Sequence, residues 1–458
     1  MTTLDDTRAA FIDAACVPLD TGHGSGTLEG AEAILAEHPQ VATSDIHTAA
    51  ILGDDASVRR FLELDQRNAT EKAGPRGWDA LTHLCFSRYL RLDRARSDGF
   101  VRAATALLDA GASPNTGWLE NNHQPRPEWE SALYGAAGVA HHAELTRLLL
   151  ERGGDPNDEE TPYHAPETHD NAALKALVES GKLNEDSLTM ILLRKTDWHD
   201  YEGIKWLLEK GIDPNRTSRW GKTALHNAVL RDNDIAIIEV LLEHGADPTL
   251  VATRPDRWST ASPGKSAIAM AARRGRGDML SLLERRGIPI ELDGVDRLIA
   301  ACARDDDASV RSIAESEPRL VTQLVAEGGK FLAEFAGVGN TEGVRQLLDL
   351  GVDVGALYEG DPYFGVAMNS TALHVAAWRA NHPTVKVLIE RGATVDARDG
   401  NGRTPLALAV RACVDSYWIE RRSPESVEAL LRAGASVSGV AFPSGYAPVD
   451  ELLGSYRK

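Results

Sequence analysis

Cysteine is scarce, with four in 458 residues (Cys16, Cys85, Cys302, Cys413), and no two are close enough to suggest a pair. A disulfide framework is therefore not expected, and each cysteine, set in an apolar helical stretch, is expected to be a reduced core thiol. Basic residues are also short, at 49 Lys+Arg against 68 Asp+Glu, for a formal net charge of −19. A chain this acidic lacks the surplus cations that phosphate backbones and anionic membranes require. Neither nucleic acid nor membrane is expected as a partner. No apolar run approaches the ~18 residues of a membrane-spanning helix. The segment Met1–Thr7 is acidic and has no basic-then-apolar leader pattern, so a cytoplasmic location is expected. Phosphate-binding loop, nucleophile-elbow and His-Glu-x-x-His signatures are missing too. No cofactor, metal or specific catalytic group is expected, and enzymatic activity is left open.

The chain is rich instead in a repeated helix ending. Leu107-Leu108-Asp109-Ala110-Gly111-Ala112, Leu207-Leu208-Glu209-Lys210-Gly211-Ile212 and Leu241-Leu242-Glu243-His244-Gly245-Ala246 are its clearest copies. Aligned on glycine, the series runs Gly111, Gly153, Gly181, Gly211, Gly245, Gly287, Gly351, Gly392 and Gly434. Most gaps lie between 28 and 42 positions; one of 64 holds two units, with the degenerate copy between Ala300 and Thr322. The paired leucines mark the buried face of a helix, and glycine supplies the left-handed residue that closes it. Asp-Pro-Asn then turns the chain outward, as at Asp155-Pro156-Asn157 and Asp213-Pro214-Asn215. A second signature opens the next helix: Thr223-Ala224-Leu225-His226, Thr371-Ala372-Leu373-His374 and Thr404-Pro405-Leu406-Ala407, with Thr as cap.

Thr-Pro/Ala-Leu-His before one helix, and Leu-Leu-x-x-Gly-Ala-Asp-Pro-Asn after the next, resembles the ankyrin repeat. The resemblance covers about residues 30–438 and implies an all-α, ankyrin-type solenoid of about twelve helix-turn-helix repeats. It also implies a concave face lined by finger loops and first helices. Residues 1–30, with the Gly-rich break Gly22-His23-Gly24-Ser25-Gly26, form an N-terminal cap. The array then divides into lobes at residues 31–291 and 292–458, the second closed by a terminal helix. The division rests on the string Asp54-Asp55-Ala56-Ser57-Val58-Arg59, repeated at Asp306-Asp307-Ala308-Ser309-Val310-Arg311.

Function is expected where the repeat departs from its own pattern, because insertions fall in loops and loops carry binding. Ordinary fingers span 8 positions, as from Asn215 to Thr223. Three are about twice as long: Asn115 to Ser131, Thr249 to Ser266 and Val354 to Thr371. Helix–helix insertions occur near residues 86–98 and 414–424. Five of the nine tryptophans lie on fingers: Trp78, Trp118, Trp129, Trp220 and Trp258. Tyr363 and Phe364 join them on the third long finger, and His123, Glu130, Asp256 and Arg257 are interleaved. Tyr163-His164 occupies the Leu-His slot of a unit with a short acidic finger. Aromatic platforms beside carboxylates, Arg and His suit partner or ligand recognition, although a tryptophan also pins a long loop to its scaffold. His226 and His374 are expected to be structural. Asp197-Trp198-His199-Asp200 is expected to be a solvated turn rather than a metal site. The function expected first is a recognition scaffold for a neutral or basic protein or peptide. The alternative is a small polar or sugar ligand, bound or processed in a Trp-rich pocket under the fingers.

Overall fold

The computed structural model describes residues 3–19, 22–122, 127–254 and 264–457. The chain forms two compact units, Met1–Asp213 and Pro214–Lys458. Each is a stack of short antiparallel helix pairs, the all-α arrangement the repeats imply.

In the first unit, helix Ile46–Ile51 packs on Ala80–Cys85. Beside that row, Asp55–Leu64 packs on Ser97–Asp109, which packs on Ala143–Glu151 and then Ala172–Glu179. In the second unit, Ala224–Leu230, Ala267–Arg273 and Val295–Ala303 stack in order, as do Gly328–Val338, Ala372–Trp378 and Pro405–Ala412. The second-helix row continues as Thr341–Asp349, His382–Glu390 and Glu425–Arg432. The degenerate stretch between Ala300 and Thr322 is helical, with Asp307–Ser316 followed by Pro318–Ala326 in place of a finger.

The signature residues do what their chemistry requires. All nine helix-closing glycines have φ between 66° and 101°. At Gly111 a Cβ would meet nothing within 4 Å, so the residue is there for its backbone conformation and not for space. Thr223 and Thr371 cap their helices reciprocally with His226 and His374. His374 also reaches the carbonyls of Ala397 at 3.0 Å and Arg403 at 3.1 Å, tying its helix to the finger of the next repeat. Asn of the Asp-Pro-Asn turn has a second task. Asn157 donates to the Lys182 carbonyl at 3.0 Å and accepts from the Asn184 amide at 2.8 Å, and Asn215 bonds Gly245 and Asp247 in the same way. The four cysteines are free and buried.

The described residues of the first long finger are extended. Strands Gly117–Glu120 and Glu128–Ser131 pair antiparallel in the register Trp118 to Glu130 and Leu119 to Trp129. Gly117 is required there, since a Cβ would lie 2.2 Å from the Glu130 carbonyl oxygen.

Candidate functional site

Side chains alternate across a strand pair, so this register sorts the first finger into two faces. Trp118, Glu120 and Glu130 are turned inward and buried; Leu119 and Trp129 are 49% and 44% exposed. The hairpin is inverted in polarity, with glutamates against the scaffold and its apolar pair in solvent. Trp118 and Trp129, grouped together in the sequence, therefore lie on opposite faces. Trp118 packs on Trp78 with ring centroids 5.2 Å apart and on Phe86 at 6.0 Å, anchoring the hairpin to the helices.

The inward face meets a buried polar cluster. Ser131 caps the helix that follows, accepting from the Tyr134 amide at 2.9 Å. That helix continues through a π-turn at Gly135–Val139, with the Ala140 amide bonded to the Gly135 carbonyl. Gly135 rests against the Cys85 carbonyl, which brings Tyr134 close to the preceding repeat. Opposite, Glu159 adopts φ 72° and launches helix Glu160–His164, carrying buried Glu160 and half-buried His164 inward. His164 bonds Glu160 at 3.1 Å and Glu167 at 3.0 Å, and its ring lies 5.1 Å from that of Tyr134. Arg194 pairs with Glu167 and Asp197 and lies 4.1 Å over the Tyr163 ring. Of the candidates singled out in the sequence of this unit, Trp118, Glu130, Tyr163 and His164 thus belong to one continuous cluster.

The remaining member is His23, from the Gly-rich segment that the sequence marks only as a break. Its Nδ1 lies 2.8 Å from the Tyr134 hydroxyl and 3.9 Å from Glu130 Oε2. Its ring meets Trp118 edge-on at 5.6 Å. Arg91 holds the segment from outside by donating to the Ser25 and Gly26 carbonyls, both at 3.2 Å.

Electrostatically the cluster is unbalanced. Burial, with the charges of Glu160 and Glu120, pushes the Glu130 carboxyl up to about 8; His164 opposes this. Burial pulls the His164 imidazole down, but the hydrogen bonds and charges of Glu160 and Glu167 prevail and hold it at about 9. Burial likewise raises Asp158 to about 6, against hydrogen bonds from Ser131 and Thr161. Glu130 Oε2 is buried without a hydrogen-bond partner among the described residues, as is Trp118 Nε1.

The third finger of the second unit is built differently. Asp232, at φ 51°, takes Arg274 in a two-pronged pair at 2.7 and 2.9 Å and Arg379 at 2.6 Å. Arg274 also meets Glu334 at 2.9 Å, and the Tyr358 hydroxyl donates to Glu334 at 2.8 Å. Phe364 is buried, with Arg379 4.1 Å over its ring and its carbonyl bonded by Trp378 Nε1 at 2.6 Å. Burial raises Asp232, but Arg274 and Arg379 overcome it and hold the carboxyl far below its ordinary range. Asp361 is pushed up to about 6 by burial, with Arg274 opposing. Tyr363 is 37% exposed under Arg231, 3.7 Å from the ring centroid, and Trp220 is half-buried beside Arg219 at 5.1 Å. His123, Asp256, Arg257 and Trp258 lie outside the described residues.

The other sequence candidates have structural tasks. Asp200 caps helix Tyr201–Glu209 through the Gly203 amide at 2.9 Å and pairs with fully buried Lys195 at 2.7 Å. Among the described residues no helix is long and apolar enough to cross a membrane.

Comparison with known proteins agrees with this architecture. Models described as ankyrin repeats match residues 192–242, 295–399 and 332–439. The SH3 and multiple ankyrin repeat domains protein 2 of Homo sapiens is 26% identical over 215 residues, 46% of this chain and 11% of that protein. The cyclin-dependent kinase 4 inhibitor B of Bos taurus is 36% identical over 86 residues, 19% of this chain and 58% of that one. The chain spans less than two thirds of the length of the curated relatives it matches. A solved human ASB11 ankyrin repeat domain is 22% identical at a TM-score of 0.26, covering 60% of this chain and 99% of that one.

Proposed function

The chain is an ankyrin repeat protein, and from that premise we propose that it is a recognition scaffold that docks a neutral or basic protein segment on its long fingers. Repeats of this kind commonly serve protein–protein interaction, so function rests with whatever each array adds to its scaffold. The observation that carries the reading is the inverted hairpin of the first finger. A solvated hairpin with one buried face would turn its apolar residues in and its glutamates out. Here Leu119 and Trp129 stand side by side in solvent, where an aromatic–aliphatic pair is suited to anchoring a partner. The third finger, in the other unit, carries an exposed apolar pair of its own, Leu357 at 61% and Met368 at 67%. The net charge of −19 speeds the encounter with a basic segment and discourages acidic ones. Free, buried cysteines accord with a reducing, cytosolic setting.

The test is capture of partners from lysate by the full chain, followed by affinity measurement for the captured partner. Trp129→Ala and Leu119→Ser together are expected to weaken that affinity by at least about tenfold, a loss of roughly 1.4 kcal/mol. Unchanged affinity in the double variant would rule out the hairpin as the docking element.

A further inference from the structure

The inward face of the same hairpin poses a separate question: why bury a carboxylate with so little to hold it? Three features coincide at Glu130. Its Oε2 is enclosed, with the side chain 2% exposed, and has no hydrogen-bond partner among the described residues. Its surroundings are acidic and aromatic: Glu160 and Glu120 act on it electrostatically against His164, Tyr134 turns its hydroxyl oxygen to the same space, and the Trp118 ring lies beside it. The space between these groups is filled by a side chain on a Gly-flanked strap, the imidazole of His23, on Tyr134 at 2.8 Å and 3.9 Å from Glu130 Oε2. A carboxylate and a phenol oxygen beside an indole ring recognise an organic cation, through charge and charge-assisted hydrogen bonds.

We propose that the box formed by Glu130, Glu160, Trp118 and Tyr134 is a receptor for the ammonium group of a lysine side chain presented by the docked segment, and that His23 is the placeholder it displaces. The proposal rests on the scaffold reading and names the residue type that the partner must offer. His23 occupies a seat about one imidazole wide, which fits an ammonium on its slender stem better than the planar, five-donor fork of arginine. The outward pair Leu119 and Trp129 lies on the opposite face of the strands that carry Trp118 and Glu130, so a segment covering the pair reaches the box only round the edge of the hairpin, through the seat that His23 leaves. The strap's flanking residues Gly22 and Gly26 have φ of 67° and 89°, and its outer bonds, from Arg91, are solvent-exposed. Arrival of a cation also favours the ionised form of Glu130, so binding near neutral pH releases a proton from that carboxyl.

The experiment uses the full chain and three probes: n-butylammonium, its uncharged isostere n-butanol, and acetyl-Gly-Lys-Gly-amide. Calorimetry is run in two buffers of different ionisation enthalpy, which counts released protons. His23→Ala is expected to bind n-butylammonium at least about tenfold more tightly than the parent chain, with proton release, and n-butanol no more tightly. Adding Glu130→Gln to that background is expected to remove both the gain and the proton release. The lysine peptide is expected to bind more tightly than n-butylammonium. His23→Gln serves as a second emptying variant, and far-UV circular dichroism with melting curves shows that each variant is folded. Equal binding of n-butylammonium and n-butanol, or a gain that survives Glu130→Gln, would overturn the box. A free amine binding more tightly than the peptide would overturn the assignment to a lysine side chain. Partner capture that is lost in Trp129→Ala but unchanged in Glu130→Gln would retain the scaffold reading and refute the box alone.

Discussion

The first and third fingers both fold onto buried polar clusters, yet the two clusters solve opposite problems. Under the third finger the strong charges have opposites within reach: Asp232 lies between Arg274 and Arg379, and Arg274 also reaches Glu334. Phe364 and Trp418 lie against the Arg379 guanidinium at 4.1 and 4.4 Å. Such a network holds a loop down. Under the first finger, Glu130 meets no Lys or Arg at ion-pair distance among the described residues, and its closest cationic candidate is His23 at 3.9 Å. A carboxylate held between two arginines is a lock, whereas Glu130, with no Lys or Arg beside it among the described residues, favours a cation that a partner brings. In the lock the paired charges stand on repeat helices and their turns, whereas Glu130 is delivered by the finger itself.

The largest effect is expected on breaking the lock. Asp232→Ala removes the ion-pair partner of buried Arg379 and leaves Arg274 to Glu334 alone, which is expected to destabilise the chain by about 3–5 kcal/mol in urea denaturation. A loss under about 1 kcal/mol would mean that the two arginines find solvent or other partners and that the third finger is not locked by charge.

Next in size is a divergence in pH response, read by hydrogen exchange in each unit. Glu130 has a folded-state value of about 8, above its ordinary 4.5. The native first unit therefore holds a proton that the unfolded chain gives up, and it loses stability as pH rises from about 4.5 to 8. Each tenfold difference in proton affinity is worth at most about 1.4 kcal/mol, so the loss amounts to a few kcal/mol in all. His164, raised from 6.5 to about 9, adds a loss in the same direction between those values. Asp232 is depressed, so its contribution is present above its ordinary 3.8 and disappears on acidification below that, offset in part by Asp361. Glu130→Gln is expected to remove the first unit's loss between about 4.5 and 6.5, to leave the His164 share above that, and to leave the acid limb of the second unit untouched.

Smaller effects test what the two units share. Asn157→Ala and Asn215→Ala each remove an inter-repeat stitch, and each is expected to cost about 1 kcal/mol, similar in the two units. The smallest stability change belongs to Trp129→Ala, within about 0.5 kcal/mol because the ring is exposed, while its effect on partner affinity is expected to be large. A large stability loss would make Trp129 a loop anchor like Trp118.

The repeat itself is written openly in the chain. Period, helix-closing glycine, Thr cap and structural His are local signals, set by φ, capping and helix periodicity within a few residues, and the structure places each accordingly. The fingers are legible as places but not as structures. Alternation in Trp118-Leu119-Glu120 and Glu128-Trp129-Glu130 shows that one face differs from the other. It does not show which is buried, and the usual rule of apolar side inward gives the wrong answer for Trp129. His23 carries no periodic or capping signal, because its role depends on a partner, Tyr134, 111 positions away. Asp232 in Arg231-Asp232-Asn233-Asp234 has the composition of a solvated turn, and only the approach of Arg274 and Arg379 makes it a buried hub.

The central claim is that the first finger delivers an uncompensated carboxyl into a closed box, and carboxyl carbon NMR of the full chain tests it most directly. With the Glu130 resonance assigned by its disappearance in Glu130→Gln, the expected titration midpoint is about 8. A midpoint near the ordinary 4.5 would show a solvated or paired carboxylate and contradict the claim.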